Sequence, residues 1–148
     1  MNHSKYQRGI NLIELMVVVA IIGIIAAFAY PSYLQQIRDT RRADCSGALV
    51  SLGNAMERHY SINGSYLGAA AAGANTGTPG IYAATCPVDG GAPTYNITIA
   101  AAAASTYTLN AAPTGPQTGD KCGTLTLTNT GVKGINGAAA GMTWDNCW

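Results

Sequence analysis

The chain has 148 residues, a formal net charge of +1 and only 10% charged residues. Proteins that hold nucleic acid by its phosphates need clustered lysine and arginine, so this composition argues against a dedicated nucleic-acid binder. The length suits one small domain next to a long apolar segment.

The first nine residues, MNHSKYQRG, are a short polar leader that ends at Gly9. Its charged residues are Lys5 and Arg8, and basic residues before an apolar segment hold the N-terminus in the cytoplasm. If the chain were cut after Gly9, Ile10 would carry a new α-ammonium group. The leader is therefore a candidate processing segment.

Residues 10–30 form an apolar run whose strongly polar members are Asn11 and Glu14. As a helix the run would cover about 30 Å, the thickness of the hydrocarbon core of a bilayer, so we predict that it spans a membrane. A carboxylate inside such a segment costs about 2.5 kcal/mol or more unless it is paired, so Glu14 indicates a functional contact. An ammonium group on Ile10 would lie one helical turn away. A neighbouring chain displaced along the helix axis could offer the same group.

Together, Gly9, Ile10, Glu14, Gly23 and Pro31 resemble the N-terminus of type IV prepilins. The resemblance implies cleavage after Gly9 by a prepilin peptidase and methylation of the Ile10 amino group. It also implies assembly with Glu14 against the amino group of an adjacent subunit. The family usually has Phe at the first mature position, where this chain has Ile10. The weaker alternative is a plain signal anchor that carries one stray glutamate.

The helix is predicted to continue beyond residue 30. Pro31 lacks a backbone N–H and should kink the helix, at a cost of about 3 kcal/mol. Gly23 is a second weak point, because glycine within a helix costs about 1 kcal/mol relative to alanine. The resemblance implies that the helix between Gly23 and Pro31 loses its regular form when a filament assembles.

Residues 31–60 are predicted to be the amphipathic half of this helix and to pack against a sheet. The apolar residues that recur at helical spacing are Tyr33, Leu34, Ile37, Leu49, Leu52, Met56 and Tyr60.

Arg38, Arg41 and Arg42 form a dense basic cluster in this half. We interpret them as a solvated helix face that pairs with Asp39 and Asp44, since such ion pairs are common on helices. Contact with DNA is the less favoured interpretation, because a filament would bury arginines this close to the membrane.

Residues 61–93 are rich in glycine and alanine and are predicted to form a long loop between helix and sheet. In residues 94–148, apolar residues alternate with polar ones, which predicts three antiparallel strands and a short fourth strand over 132–135. The alternating residues are Tyr95, Ile97, Ile99, Tyr107, Leu109, Ala111, Leu125 and Leu127. The predicted fold class is α+β, with the long N-terminal helix on a small antiparallel sheet, as in the type IV pilin fold.

Four cysteines in an exported domain predict two disulfides, for which three pairings exist. The stretch DKCGTLTLTNTGVKG and the terminal CW resemble a subgroup of type IV pilins, the PilE-like proteins. We expect Cys122 to pair with Cys147, which closes the C-terminal region. We expect Cys45 to pair with Cys86, which ties the helix to the loop.

No metal site, cofactor or enzymatic activity is predicted. The sequence has no CxxC, HExxH, GxSxG or phosphate-binding loop, and His59 is the one histidine that remains when the leader with His3 is removed. The resemblance implies a structural subunit, major or minor, of a type IV pilus or fimbrium that serves cell adhesion, twitching motility or DNA uptake. A pseudopilin of a type II secretion system is the alternative, because it would share the leader and the glutamate.

The resemblance also implies partners and a location. The partners are other pilin subunits, the prepilin peptidase and methyltransferase, and the inner-membrane assembly machinery. Before assembly, the chain would cross the inner membrane once, with its N-terminus in the cytoplasm and its domain in the periplasm. After assembly it would lie in an extracellular pilus.

Overall fold

The computed structural model describes residues 11–148, so the predicted processing residues Gly9 and Ile10 lie outside the described part. The chain divides into two units after Ile37, and we call Arg38–Trp148 the head. The regular elements are helix α1 (Leu12–Asn63) and strands β1 (Thr85–Cys86), β2 (Tyr95–Ala102), β3 (Tyr107–Pro113), β4 (Thr124–Thr128) and β5 (Lys133–Asn136). Short 3-10 turns cover Ala71–Gly73, Gly115–Gln117 and Trp144–Asn146.

The first part of α1, residues 12–37, is helical throughout. Gly23 and Pro31 both lie within it, so the helix continues beyond residue 30 as predicted. The large apolar side chains from Leu12 to Phe28 have 47–78% of their surface exposed. By length and composition this stretch is apolar enough to cross a membrane.

Five antiparallel strands form one sheet in chain order, from β1 at one edge to β5 at the other. Side chains alternate between its faces: Tyr95, Ile97 and Leu109 are buried, whereas Asn110 and its cross-strand neighbours lie on the other face. The four predicted strands and the hairpin between β4 and β5 are confirmed. The two-residue strand β1 was not predicted, because two residues are too few to show an alternation.

The hydrophobic core lies between the sheet and the second half of α1. Leu49, Leu52 and Met56 are fully buried there. Burying a side chain of this size contributes about 1.5–3 kcal/mol, so this face of the helix accounts for much of the stability of the head.

The prediction that Tyr33 and Leu34 pack against the sheet is wrong, because both are exposed. Tyr60 is also exposed, and its ring contacts that of Tyr66 at a centroid distance of 4.6 Å. Tyr33 and Leu34 precede Arg38, where the head begins, so neither belongs to the unit that contains the sheet. The buried stretch of α1 accordingly runs from Arg42 to Met56.

Two disulfides tie the head together, and they join the pairs that we expected. One joins Cys45 of α1 to Cys86 of β1, and the other joins Cys122, just before β4, to Cys147. All four side chains are buried. Disulfides that close loops of this size contribute about 3 to 4 kcal/mol to the stability of the fold in the chain-entropy view.

Candidate assembly helix and the charge network of the head

Glu14 lies in the first turn of α1 and is exposed. The backbone N–H groups of Glu14 and Leu15 donate to the carbonyl of Asn11, at 3.0 and 3.2 Å, and so begin the helix. Within residues 11–148, the ion pairs are those of Arg42, and none involves Glu14. The cation predicted for Glu14, the amino group of Ile10, lies outside the described residues.

The exposed apolar surface around Glu14 requires a partner. A contiguous apolar surface of this length is rare on a soluble monomer and is typical of a surface that meets lipid or another protein. A single carboxylate on such a surface is costly to bury alone, so a partner that also supplies a positive charge suits this helix. The helix can therefore serve both as an anchor and as a contact between subunits.

Arg42 is the centre of a buried polar network in the head, and our interpretation of it as a solvated residue is wrong. Only 4% of its surface is exposed. Its guanidinium donates twice to the carboxylate of Asp120, with Nε at 2.9 Å from Oδ2, and once to Asp39 at 2.9 Å. The Tyr95 hydroxyl donates to the same carboxylate at 2.7 Å. The Gln117 amide in turn donates to that hydroxyl at 3.2 Å. We call these five residues the Arg42 network.

The network keeps its charged groups ionised. Burial disfavours the charged form of Asp120, but hydrogen bonds from Arg42 and Tyr95 outweigh burial and lower the pKa of the carboxyl. The hydrogen bond with Asp120 raises the pKa of Arg42 above its already high value. Burial, followed by the hydrogen bond to Asp120, raises the pKa of the Tyr95 hydroxyl. At neutral pH the network therefore holds a desolvated ion pair with a neutral phenol.

This ion pair fastens two distant parts of the chain to each other. Arg42 lies in α1, and Asp120 lies 78 residues later, two positions before the disulfide-bonded Cys122. The Gln117 amide strengthens the same junction by donating to the carbonyl of Arg38 at 3.0 Å. No sequence signal marked Asp120 or Gln117, because both lie in a polar segment without periodicity.

The predicted ion pairs of Arg41 and Asp44 are not found in the described part of the chain. Arg41 is half-buried and Asp44 is exposed, and neither makes an ion pair within the part of the chain that the structure describes. Only the pairing of Arg42 with Asp39 matches what the helix spacing suggested.

Low pH should lower the unfolding free energy of the head, because it protonates the Asp120 carboxylate. Because the pKa of Asp120 is lower in the folded chain, its contribution to stability is complete above the unfolded value of about 3.9. That contribution is lost as pH falls from there through the folded pKa. We expect the difference in unfolding free energy between the wild type and Asp120→Asn to shrink below about pH 4. Urea unfolding of the full chain in detergent, at pH 7 and in steps below pH 4, measures this. A difference that stays constant would contradict it.

Metal-ligand clusters are not found among residues 11–148: no group of three His, Cys, Asp or Glu side chains comes together there. His59 has a local structural contact, since its Nε2 lies 2.9 Å from the carbonyl oxygen of Leu67, just after the end of α1.

Two family descriptions match the chain. Residues 4–30 match the prokaryotic N-terminal methylation motif. Residues 31–126 match the family described as type IV minor pilin ComP, DNA uptake sequence receptor.

Curated relatives are pilins that match part of the chain. The fimbrial protein EcpC of Eikenella corrodens is 36% identical over 61 residues, which is 41% of this chain and 40% of the relative. The type IV major alpha-pilin of Moraxella bovis is 49% identical over 45 residues, 30% of this chain and 28% of the relative. The type IV major fimbrial protein FimA of Dichelobacter nodosus is 58% identical over 41 residues, 28% of this chain and 26% of the relative. The chain thus matches between about a quarter and two-fifths of the length of these relatives.

Solved pilins are also similar. A type IV pilin from Shewanella oneidensis is 31% identical, with 75% of this chain and 97% of that chain covered and a TM-score of 0.46. The Neisseria meningitidis non-core minor pilin PilV is 18% identical, with 74% and 94% covered and a TM-score of 0.50, a likeness of fold alone. The family match spans most of the chain and the methylation motif precedes it. The chain therefore belongs to the type IV pilins, in the family of the minor pilin ComP.

Proposed function

We propose that this chain is a structural subunit of a type IV pilus, held first in the inner membrane and then assembled into an extracellular filament. The observation that carries the proposal is the exposed apolar helix with Glu14 in its first turn, preceded by a methylation motif. A surface of this kind needs lipid in storage and other helices in the filament. The head would remain outside the membrane at both stages.

Processing would create a positively charged group that can pair with the Glu14 carboxylate. Cleavage after Gly9 by a prepilin peptidase and methylation of the new amino group would leave a cation on Ile10. Glu14 would pair with it in its own chain while the chain is stored, and with the Ile10 of a neighbour in the filament. In an apolar core this attraction is weakly screened, although desolvation offsets much of the gain, so the pair would set register more than net stability.

The boundaries that we propose follow the same scheme. Residues 1–9 would be the leader and residues 10–30 the membrane segment that becomes the filament core. Residues 31–60, 61–93 and 94–148 would be the amphipathic helix half, the glycine-rich loop and the disulfide-closed sheet region. The stretch from Gly23 to Pro31, helical here, would extend during assembly.

Cleavage after Gly9 can be measured from the intact mass of the mature protein. In membranes and in sheared filaments, we expect an intact mass equal to residues 10–148 with two disulfides and one methyl group. Gly9→Ala should slow cleavage and leave the full-length chain in the membrane, and Ser4→Ala, a change in the leader away from the bond, is the matched control. A filament chain that begins at Met1 would contradict the proposal.

A type II secretion pseudopilin is the competing assignment, because it would use the same leader and glutamate. The two are distinguished by location: a pilus subunit should be recovered in long filaments sheared from the cell surface. Mass spectrometry of that fraction identifies its most abundant chain, which also separates a major from a minor subunit. Loss of protein secretion without loss of surface filaments, on deletion of this chain, would favour the pseudopilin.

DNA contact is a second candidate, because the family match includes the description of a DNA uptake sequence receptor. The arginine cluster is a poor place for it: Arg42 is buried and bound to Asp120, which leaves Arg38 and Arg41. Two cations neutralise few phosphates, and backbone affinity grows with that number. If purified filaments bind DNA, the Arg38→Ala variant should bind with an unchanged salt dependence. A shallower salt dependence would assign the contact to this cluster after all.

A further inference from the structure

A cleft of about 360 Å³ lies on one flank of the head, between α1 and the turn that joins β4 to β5. Its helix wall carries Val50, Asn54 and Glu57, and its turn wall carries Thr128 and Asn129. The cleft is large enough for one long side chain, and its walls combine apolar surface with a carboxylate and two amides.

Glu57 is held in place at the wall of the cleft. The Tyr66 hydroxyl lies 3.0 and 2.9 Å from its two carboxylate oxygens, and the Tyr107 hydroxyl donates to Oε1 at 3.2 Å. A carboxylate has about four lone-pair sites, so Glu57 can still accept further hydrogen bonds. Within residues 11–148 it has no ion-pair partner, and the ammonium of Lys133 lies over the ring of Trp148, 5.0 Å from its centroid. Lys133 also lines the cleft, but its ammonium lies over Trp148, so within residues 11–148 the Glu57 carboxylate is oriented by two hydroxyl groups and has no ion-pair partner.

A guanidinium group suits this cleft better than an ammonium. Its planar fork can meet both oxygens of Glu57, and the side-chain oxygens of Asn54 and Asn129 can accept its remaining N–H groups. The apolar atoms of Val50 and Leu127 can cover the methylene groups of an arginine side chain. The chemistry indicated is an arginine that comes from outside this copy of the head.

We choose Arg41 for that role because it lies on the flank of α1 opposite Glu57, whereas Arg58 is the next residue after Glu57. Arg41 lines a second cleft, with Thr40, Asp44 and Pro116, and within the described residues it makes no ion pair. Arg41 and Glu57 lie sixteen residues apart in α1, which places them about 160° apart around the helix and about 24 Å apart along it. The two groups thus lie on opposite flanks of the head and cannot meet within one chain.

We propose that the Glu57 cleft of one subunit receives the Arg41 side chain of another copy of this chain. The proposal rests on the proposed function as a filament subunit. Because donor and acceptor lie on opposite flanks, the contact is heterologous: it does not close after two copies and can repeat along a filament. The Arg41–Glu57 contact requires two subunits that are displaced by about 24 Å along the helix axis. The contact of Glu14 with the amino group of a neighbour requires a displacement of one helical turn, so the two contacts join different pairs of subunits.

Charge reversal tests the contact in cells that carry one copy of the gene. Arg41→Glu and Glu57→Arg should each lower the amount of chain in sheared filaments by about tenfold, because each places like charges together at the contact. The combined variant restores opposite charges and should return assembly to within about twofold of wild type. Arg58→Glu, an exposed reversal next to Glu57, is the matched control and should assemble normally. Levels of disulfide-bonded chain in the membrane fraction show that each variant folds.

Zero-length cross-linking tests the geometry. In filaments of the Arg41→Lys variant, a carbodiimide should join position 41 to Glu57, and mass spectrometry should place the two ends in different subunits. The same variant with Glu57→Gln should give no such product. Normal assembly of both single reversals, failure of the combined variant to recover, or cross-links from position 41 to another acid would each overturn the proposal. Those outcomes differ from failure of the proposed function, in which the wild-type chain itself would be missing from filaments.

Discussion

The Glu14→Gln variant is expected to stay in the membrane and to disappear almost entirely from surface filaments. Glutamine keeps the shape of the side chain and removes its charge, so insertion and cleavage after Gly9 should proceed normally. In the filament the Ile10 ammonium of a neighbour would then be buried without a partner, and breaking one side of a buried pair costs about 3–5 kcal/mol. We therefore expect the amount of assembled chain to drop more than tenfold when the variant is the only copy. A tenfold drop corresponds to a loss of about 1.4 kcal/mol in the free energy of assembly.

Immunoblots of membrane and sheared fractions separate storage from assembly. Asp44→Asn, which neutralises an exposed carboxylate of the head, is the matched control and should assemble at wild-type levels. If Glu14→Gln also assembled at wild-type levels, the charge-pair account of register would be wrong and the carboxylate would need another role.

Arg42→Ala is expected to cause the largest loss of stability among single charge changes in the head. It would leave the carboxylate of Asp120 buried, with the Tyr95 hydroxyl as its remaining side-chain donor. Removing one partner of a buried ion pair costs about 3–5 kcal/mol, a large share of the stability of a domain this size. Chemical denaturation of the full chain in detergent at neutral pH measures the change.

Two further variants separate the ion pair from the loss of side-chain volume. Arg41→Ala removes an arginine of the same helix that makes no ion pair within residues 11–148, and it should change the free energy of unfolding by no more than about 1 kcal/mol. The combined variant Arg42→Met with Asp120→Leu replaces the pair by apolar groups and should recover much of the loss. A small effect of Arg42→Ala, equal to that of Arg41→Ala, would show that the network contributes little.

The fold was predictable where local patterns repeat. Alternation over Tyr95, Ile97 and Ile99 predicted β2, and the same period predicted β3 and β4, because one side of each strand faces the core. The disulfide partners were expected from a resemblance and agree with the structure, although spacing alone left three pairings open.

The head network was not predictable, because it depends on residues far apart in the sequence. Arg42 has the same helical spacing to acidic neighbours as an ordinary solvated arginine, and only the fold brings Asp120 to it. Similarly, Leu34 and Leu49 are equally apolar and both lie in α1, but Leu49 is buried and Leu34 is exposed. Leu49 belongs to the unit that contains the sheet and Leu34 does not, and a helical period carries no information on where that unit begins.

A map of purified filaments by electron cryomicroscopy would test the central claim most directly. It should show this chain as the subunit, beginning at a methylated Ile10, with the Glu14 carboxylate within ion-pair distance of the amino group of an adjacent subunit. A filament in which the subunit retains its leader, or in which Glu14 faces no amino group, would contradict the account.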